Sequence, residues 1–291
     1  MESAPIPKPI SELIRRGVEC PAPASLDVGP EVDPSRIAPG VVLHAGTRLR
    51  GAGLSIGPDC VLGEEAPVTV DECRLGRGVH LKGGLASGSV FYDGSSMGSA
   101  AHIRPGTLLE EEAGGAHAVG LKQTIFLPFV VAGSLINFCD VLMAGGTSRS
   151  DHGEIGSSFI HFNFTPHGDK ATPSLIGDVP RGVFLDQPPT FLGGQGGIVG
   201  PVRYGFGVVQ PAGMVGRRDC AEDGVLVLPQ PLPAGPPRPY SLGTYKSVWR
   251  IVANNLTYVG NLLALREWTR RIRAPLVESD AFGRACVEGA L

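Results

Sequence analysis

An apolar residue recurs every six positions over much of this chain. The pattern begins at Ile37 with "IAPGVV", "LHAGTR" and "LRGAGL", returns at "LGRGVH", "LKGGLA" and "IRPGTL", and reappears late as "LGGQGG", "IVGPVR" and "YGFGVV". A six-residue period lacks the strict alternation of an ordinary hairpin strand. It predicts short strands that each turn one aliphatic side chain inward, three strands to a triangular coil, with each coil burying its aliphatics against the next.

The composition supports a fold that turns at short intervals. The 291 residues include 42 Gly and 26 Pro, the residues that turns require, and 42% of the chain is hydrophobic. Disordered chains lack that apolar content, so the disordered class is excluded. The predicted fold class is an all-β solenoid, a parallel β-helix of hexapeptide repeats.

Four segments follow from these patterns. Residues 1–30 form a lead-in with a short helix in "ISELIRRGV", and residues 31–228 form the β-helix domain. Residues 229–239, "PQPLPAGPPRP", predict a stiff, extended linker. Residues 240–291 carry apolar side chains at helical spacing and predict a C-terminal helical extension, packed on the coils or on a neighbouring subunit.

Charge and cysteine usage narrow the class of protein. The net charge of −3 and the pI near 6.2 provide no basic field for nucleic acid or an anionic membrane. Six scattered cysteines without a C-x-x-C pair predict reduced thiols, with no zinc site among them. The polar start "MESAPIPKPI" differs from a signal peptide, and the longest apolar run, residues 125–136, is too short to span a bilayer. We therefore expect a soluble, cytoplasmic protein.

Several segments resemble one protein family. The tract "FLGGQGGIVGPVRYGFGVVQPAGMVGRRD" and, upstream, "HIRPGTLLEEEA", "GLKQ", "VAGSLINFCD", "HFNF" and "SLIGD" follow the order of segments in one domain. That domain is the acetyltransferase domain of the bacterial bifunctional N-acetylglucosamine-1-phosphate uridyltransferase/glucosamine-1-phosphate acetyltransferase. The resemblance covers roughly residues 10–220. No counterpart of the uridyltransferase half is expected, since about thirty residues precede the first hexad.

The resemblance implies a fold, an assembly and a reaction. The fold is a left-handed parallel β-helix, and the assembly is a homotrimer with active sites between subunits. In the reaction, the amine of an amino-sugar phosphate, or of a related nucleotide sugar, attacks the thioester of acetyl coenzyme A (acetyl-CoA). The pantetheine arm of the coenzyme is expected along the late coils, near Ser158, Gly194 and Pro211.

Substrate-binding residues are also implied by the resemblance. Arg104 and Lys122 match the two basic residues that hold the sugar phosphate. A planar guanidinium binds two phosphate oxygens at once, and an ammonium adds a mobile point charge. Asn163 matches a sugar-contacting asparagine, Phe164 replaces a tyrosine, and Lys170 lies near the basic residue that closes the same loop.

The general base histidine of the family has no direct counterpart. "VAGSLINFCD" offers Ser134 at that position, and a serine cannot take a proton near neutral pH without its own base, so Ser134 is counted with the substrate-binding residues. A segment six residues longer than the family pattern supplies Asp151 and His152, and "FIHFNFTPHGDK" supplies His167. We hypothesise that His152 or His167 replaces the base, with Asp140 or Asp151 orienting the imidazole.

Two other functions are considered. The chain could be a sugar-phosphate-binding or regulatory protein that has the phosphate ligands but no catalytic activity. It could also resemble the γ-class carbonic anhydrases, in which three histidines gather zinc on the same fold. His152, His161 and His167 would be those ligands, although their spacing and flanking sequence do not match that family.

Some conspicuous residues have simple structural interpretations. His161 occupies an inward hexad position and is expected to be buried. The glutamates of "LLEEEA" are expected at a solvated corner, and the arginines between 266 and 273 on a solvated helix face. Trp249 and Trp268, at helical spacing, are expected to pack.

Overall fold

The chain forms a stack of three-sided coils with helices at both ends of the sequence. This computed structural model describes residues 6–163, 172–229, 235–237, 239 and 247–291. A helix, Lys8–Arg15, precedes the stack, and coil pairing already begins where Glu19 bridges Val42. Two 3-10 turns, Pro23–Ser25 and Pro34–Arg36, lie in the first coils.

Each coil contributes one strand to each of three faces, and all pairing between coils is parallel. The first face contains Asp27–Val28, Arg48–Arg50, Val68–Asp71, Gly84–Ser87, Ala101–Ile103, the starts of Gly120–Phe126 and Asn137–Met143, Ile160–Phe162, Gly197–Val199 and Val215–Gly216. The second face contains Ser55–Ile56, Arg74–Leu75, Val90–Phe91, Leu108–Leu109, the ends of the same two long strands, Ser174–Ile176 and Arg203–Tyr204. The third face contains Val42–Leu43, Val61–Leu62, His80–Leu81, Ser96–Met97, Gly114–Gly115, Val131–Ala132, Glu154–Ile155, Phe191–Leu192 and Val209–Gln210.

The hexad aliphatics fill the interior of the stack. On the first face, Ile103 pairs with Leu121 and Leu121 with Phe138, one above the other along the stacking direction. All three are buried, as are most of the equivalent residues of the other faces. Because successive side chains of a strand point to opposite sides, the residues flanking each inward aliphatic point outward. The repeat in the sequence therefore decides which side chains lie on the outer surface.

The corner between the third and first faces is made by residues with left-handed backbone geometry. Ala118, Leu135, Ser158 and Gln195 all have φ between 53° and 63° on successive coils. A non-glycine residue in this region costs roughly 1–2 kcal/mol, which the surrounding parallel ladder must offset. At Gly193 an added Cβ would lie 2.3 Å from the backbone N of Ala212, so that coil requires glycine there.

A small hairpin interrupts the coils between the second and third faces. Gly146–Ser148 pairs antiparallel with Asp151–His152. At the hairpin tip, the exposed Arg149 forms an ion pair with Glu112, which lies two coils earlier (Nε to Oε2, 2.6 Å).

The second face is covered by the C-terminal helices. A long helix, Val248–Trp268, continues through a π-helical turn, Thr269–Arg273, and a short helix, Ala274–Leu276. A terminal helix, Ala281–Ala290, packs on the early coils, and a short helix, Val179–Gly182, lies beneath the long helix. The predicted parallel β-helix of hexapeptide repeats with a C-terminal helical extension is therefore confirmed.

The side of the long helix that faces the coils carries two amides beside the buried Tyr258 and Leu265. Asn254 donates to Asp219 (2.9 Å), and Asn261 accepts a hydrogen bond from the backbone N of Val179 (2.7 Å). A buried peptide N–H without a partner is costly, so amides are favoured at these contacts. The expectation that Trp249 packs is wrong within the chain, since 80% of its side chain is exposed, whereas Trp268 packs edge-on against Phe184.

The side of the long helix that faces away from the coils carries a row of exposed apolar residues. Its members repeat at intervals of three or four residues: Trp249, Val252, Leu256, Val259 and Leu263. Among the described helices, none is both long and apolar enough to cross a membrane.

A buried ion cluster joins the helical extension to the coils. Arg273 lies 3.2 Å from the Glu110 carboxylate (Nη2 to Oε2), donates to Glu111 (Nη2 to Oε2, 2.9 Å) and stacks over the Tyr92 ring at 4.7 Å. Glu110 is only 1% exposed. Two expectations are therefore wrong. Glu110 is not at a solvated corner and Arg273 is not on a solvated face, because the extension folds back over the coils and buries the two side chains against each other.

Glu110 makes stability depend on pH. Burial raises the pKa of its carboxyl from 4.5 to about 7, with Arg273 acting in the opposite direction. The folded state therefore holds a proton that the unfolded state has lost, and stability falls as pH rises between about 4.5 and 7. We expect Glu110→Gln to remove this decrease, which amounts to about 3 kcal/mol. Urea unfolding of both proteins at pH 5, 6, 7 and 8 measures how the free energy of unfolding changes with pH. Parallel profiles for wild type and Glu110→Gln would contradict the assignment.

Candidate functional site

The two predicted phosphate ligands lie side by side on the first face. The backbone N of Arg104 donates to the carbonyl of Leu121 (2.9 Å), which places Arg104 beside Lys122 on the next coil. Both side chains point outward and are half-buried. Arg104 also donates to the Cys139 thiol (Nη2 to Sγ, 3.4 Å), and Cys139 pairs with Lys122 in the strand register. Two cationic groups thus share one edge of the first face.

Asn163 lies on a later coil at this same edge. It follows the first-face strand Ile160–Phe162, whose Ile160 pairs with Asn137, and its side chain is exposed. Continuing that register places Phe162 beside Cys139. Phe164, His167 and Lys170, which were also predicted for the site, lie outside the described residues.

Ser134 lies at the opposite edge of the first face, on the corner shared with the third face. Its backbone N donates to the Ser157 hydroxyl (3.2 Å), and its carbonyl accepts from the backbone N of Ser158 (2.7 Å). The next coil continues this line, since the backbone N of Gln195 donates to the carbonyl of Ser157 (2.9 Å). Gly194 and Ser134 therefore belong to one row of small residues along the corner. Pro211 follows the third-face strand of the last complete coil.

A histidine outside the set predicted from the sequence contacts Ser134. His117, in the preceding coil, has its Nδ1 atom 2.9 Å from the Ser134 hydroxyl, and the ring is exposed. The two residues are 17 positions apart, close to the length of one coil. Because coils differ in length, this spacing gives a contact only in the observed register, in which Leu121 pairs with Phe138.

The outer surface between the two edges contains polar and small residues. His102 pairs with Gly120, and Gly120 pairs with Asn137, on three successive strands. The His102 and Asn137 side chains are exposed, and Gly120 leaves a gap between them. The first face therefore offers a shallow polar strip bounded by Ser134 and His117 on one side and by the two cations on the other.

His152 and Asp151 lie in the hairpin, away from this strip. The Nδ1 atom of His152 is 2.7 Å from the carbonyl of Arg149, and Asp151 accepts from the Thr147 hydroxyl (2.9 Å). Within one coil, His152 precedes the third-face strand and the Ser134 row follows it. His152 and Ser157, the neighbour of Ser134, are five positions apart, which corresponds to about 16 Å of extended chain.

His161 is part of the interior, as expected. It is 6% exposed, its Nε2 atom is 2.8 Å from the Ser174 hydroxyl, and its ring packs edge-on against Phe138. Burial lowers the pKa of this imidazole from 6.5 to about 4, so it is neutral at physiological pH. In the described part of the chain, no three His, Cys, Asp or Glu side chains form a group that could hold a metal ion.

Curated proteins with detectable sequence similarity support the acetyltransferase resemblance. The bifunctional protein GlmU of Thermotoga sp. (strain RQ2) is 27% identical over 211 residues, which is 72% of this chain and 42% of that protein. GlmU of Thermus thermophilus is 29% identical over 195 residues, 67% of this chain and 38% of that protein. GlmU of Shouchella clausii is 36% identical over 112 residues, 38% of this chain and 23% of that protein.

The matches define how far the similarity extends. The chain spans about two fifths of the length of the GlmU proteins that it matches over most of its own length. No protein-family model matches the sequence. The β-solenoid fold and the sequence matches both fit the acetyltransferase domain that the sequence resembles. The chain is therefore similar to the bifunctional GlmU proteins, and the resemblance to their β-helical acetyltransferase domain is confirmed.

Proposed function

We propose that the protein is an acyl-CoA-dependent N-acyltransferase that acts on a phosphorylated or nucleotide-linked amino sugar, as in glucosamine-1-phosphate acetylation. The observation that carries this proposal is the adjacency of Arg104 and Lys122 at one edge of the first face. Paired cations on neighbouring coils form a site for a phosphate dianion. The polar strip beside them, with Asn137 and His102, offers hydrogen-bonding groups to a sugar ring.

The coenzyme is proposed to lie along the corner of Ser158 and Gly194, with Pro211 in the next coil. An extended pantetheine arm needs a surface without bulky side chains, and the row Ser134, Ser157, Gly194 fits that requirement. Bound there, acetyl-CoA supplies an acyl group on an activated thioester. The chain's own residues hold the phosphate at Arg104 and Lys122, which directs the sugar amine towards the Ser134 corner.

The assembly and the remaining assignments stay predictions. A homotrimer with sites between subunits is proposed from the resemblance, and the apolar row on the long helix supports self-association. Sedimentation velocity on the full chain measures its mass. Roles for Phe164 and Lys170 in sugar binding and a cytoplasmic location are likewise proposed. A base role for His152 or His167 stays a prediction from the sequence.

Turnover tests the proposed function. With acetyl-CoA and glucosamine 1-phosphate we expect release of the coenzyme thiol, measured with a thiol-reactive dye. Unphosphorylated glucosamine is the matched substrate control. We expect its kcat/KM to be lower by about 10²-fold or more, since charge-assisted hydrogen bonds contribute about 1.5–3 kcal/mol each. A uridine-linked amino sugar forms the second substrate arm.

A binding protein without catalysis would give a different result. The sugar phosphate would raise the melting temperature, as expected for a ligand that binds only the folded state, with no thiol release from acetyl-CoA. Absence of both stabilisation and turnover with either sugar would contradict both functions.

A further inference from the structure

The structure pairs the serine at the family's base position with a histidine from the neighbouring coil. Ser134 by itself cannot accept a proton near neutral pH. The Nδ1 atom of His117 lies 2.9 Å from its hydroxyl, within the hydrogen-bonding distance that joins a hydroxyl to its base in activated Ser–His pairs. The imidazole is the side chain that ordinarily changes charge between pH 5 and 8.

The backbone around this pair is held in place on several sides. Ser134 is bound through its N–H to Ser157 and through its carbonyl to the N–H of Ser158. The carbonyl of His117 accepts from the backbone N of Leu135 (3.1 Å). Leu135 itself has φ of 63°, a strained conformation that the ladder maintains. The hydroxyl thus belongs to a rigid corner and not to a mobile loop, as a proton relay requires.

We propose that His117 is the general base of the acyl transfer and that Ser134 relays the proton to it. This proposal rests on the proposed function. The lone pair of the sugar amine attacks the thioester carbonyl, and a C–N bond forms. A proton on that nitrogen passes to the Ser134 oxygen while the Ser134 proton passes to His117 Nδ1. The C–S bond then breaks, and the leaving thiolate takes the proton back through the same path. The products are the N-acetyl sugar phosphate and free coenzyme A.

The pair lies where the reaction needs it. Arg104 and Lys122 bind the phosphate at the far edge of the first face, and the Ser134 row borders the proposed path of the thioester. His117 and Lys122 are five positions apart and border the same polar strip from its two edges. His152, the candidate suggested by the sequence, lies at the other end of the third-face strand.

Kinetics of matched histidine variants test the proposal. We expect His117→Ala and Ser134→Ala each to lower kcat by about 10²–10⁴-fold, the usual contribution of a positioned base. KM for the sugar phosphate should change little, because the phosphate ligands are intact. The acidic limb of the pH–kcat profile should be lost in His117→Ala.

In the His117→Ala background, Ser134→His should recover part of kcat, since it puts an imidazole at the family's base position. His80→Ala, an exposed histidine of the third face, is the control.

The outcomes separate this inference from the proposed function. If wild type turns over and His117→Ala keeps its kcat and its acidic limb, His117 is not the base; a loss in His152→Ala or His167→Ala would then assign the role to one of those residues. If wild type and all variants fail to turn over while the sugar phosphate still stabilises them, the enzymatic function itself is wrong. Unchanged melting temperatures in the variants show that a loss of kcat is chemical and not structural.

Discussion

Replacing Arg104 and Lys122 together by alanine is expected to lower kcat/KM for an amino-sugar phosphate by about 10²–10⁴-fold. Each cation would lose a charge-assisted hydrogen bond of about 1.5–3 kcal/mol, and each 1.4 kcal/mol is a factor of ten. Most of the loss should be in KM if the phosphate is bound equally in the ground and transition states. Steady-state kinetics with glucosamine 1-phosphate measures both parameters.

The control for this variant is on the same face. Arg48 is exposed, pairs with Thr69 on the early coils and carries the same charge, so Arg48→Ala should leave kcat/KM unchanged. The double variant should also lose its preference for glucosamine 1-phosphate over glucosamine. If the preference survives in Arg104→Ala/Lys122→Ala, the phosphate binds elsewhere.

Replacing Arg273 by methionine is expected to destabilise the protein by about 3–5 kcal/mol at pH 8. Its removal leaves the Glu110 carboxylate buried without its cation, and breaking a buried pair from one side carries a cost of that size. The destabilisation by Arg273→Met should be smaller at pH 5, because the Glu110 carboxyl then takes up a proton. Urea unfolding at the two pH values measures both effects, and limited proteolysis reports whether the C-terminal extension detaches.

A neighbouring arginine provides the matched control. Arg271 is 79% exposed and pairs with Glu267 on the helix surface, so Arg271→Met should be indistinguishable from wild type. The double variant Glu110→Leu/Arg273→Met should recover much of the stability, because no buried charge remains. Equal destabilisation by Arg271→Met and Arg273→Met would show that the buried cluster has no special role.

The sequence predicted the fold and one edge of the candidate site. A hexad repeat assigns one inward residue to each strand, and strand alternation then places the neighbouring residues outward. Arg104 directly follows the inward Ile103, and Lys122 the inward Leu121, so their shared edge follows from the repeat alone. The burial of His161 follows from the same rule.

Contacts between coils were harder to anticipate, because they depend on the length of each coil. Coil length varies: it is 16 residues between the paired Val70 and Ala86, 18 between Ile103 and Leu121, and 23 between Asn137 and Ile160. A histidine such as His117 therefore had no evident partner until the register was known. His152 is close in sequence to the position of the family's base, yet the hairpin places it at the other end of the third-face strand.

By itself, the sequence determined that this chain winds into stacked three-sided coils and which side chains point out of them, because a period of six residues encodes both. Only the tertiary structure decided which of these side chains meet. Ser134 finds His117 one coil away, and Glu110 finds Arg273 from the helical extension more than 160 residues later. Periodicity describes each strand separately, whereas these contacts arise when coils stack and helices dock, so no local pattern records them.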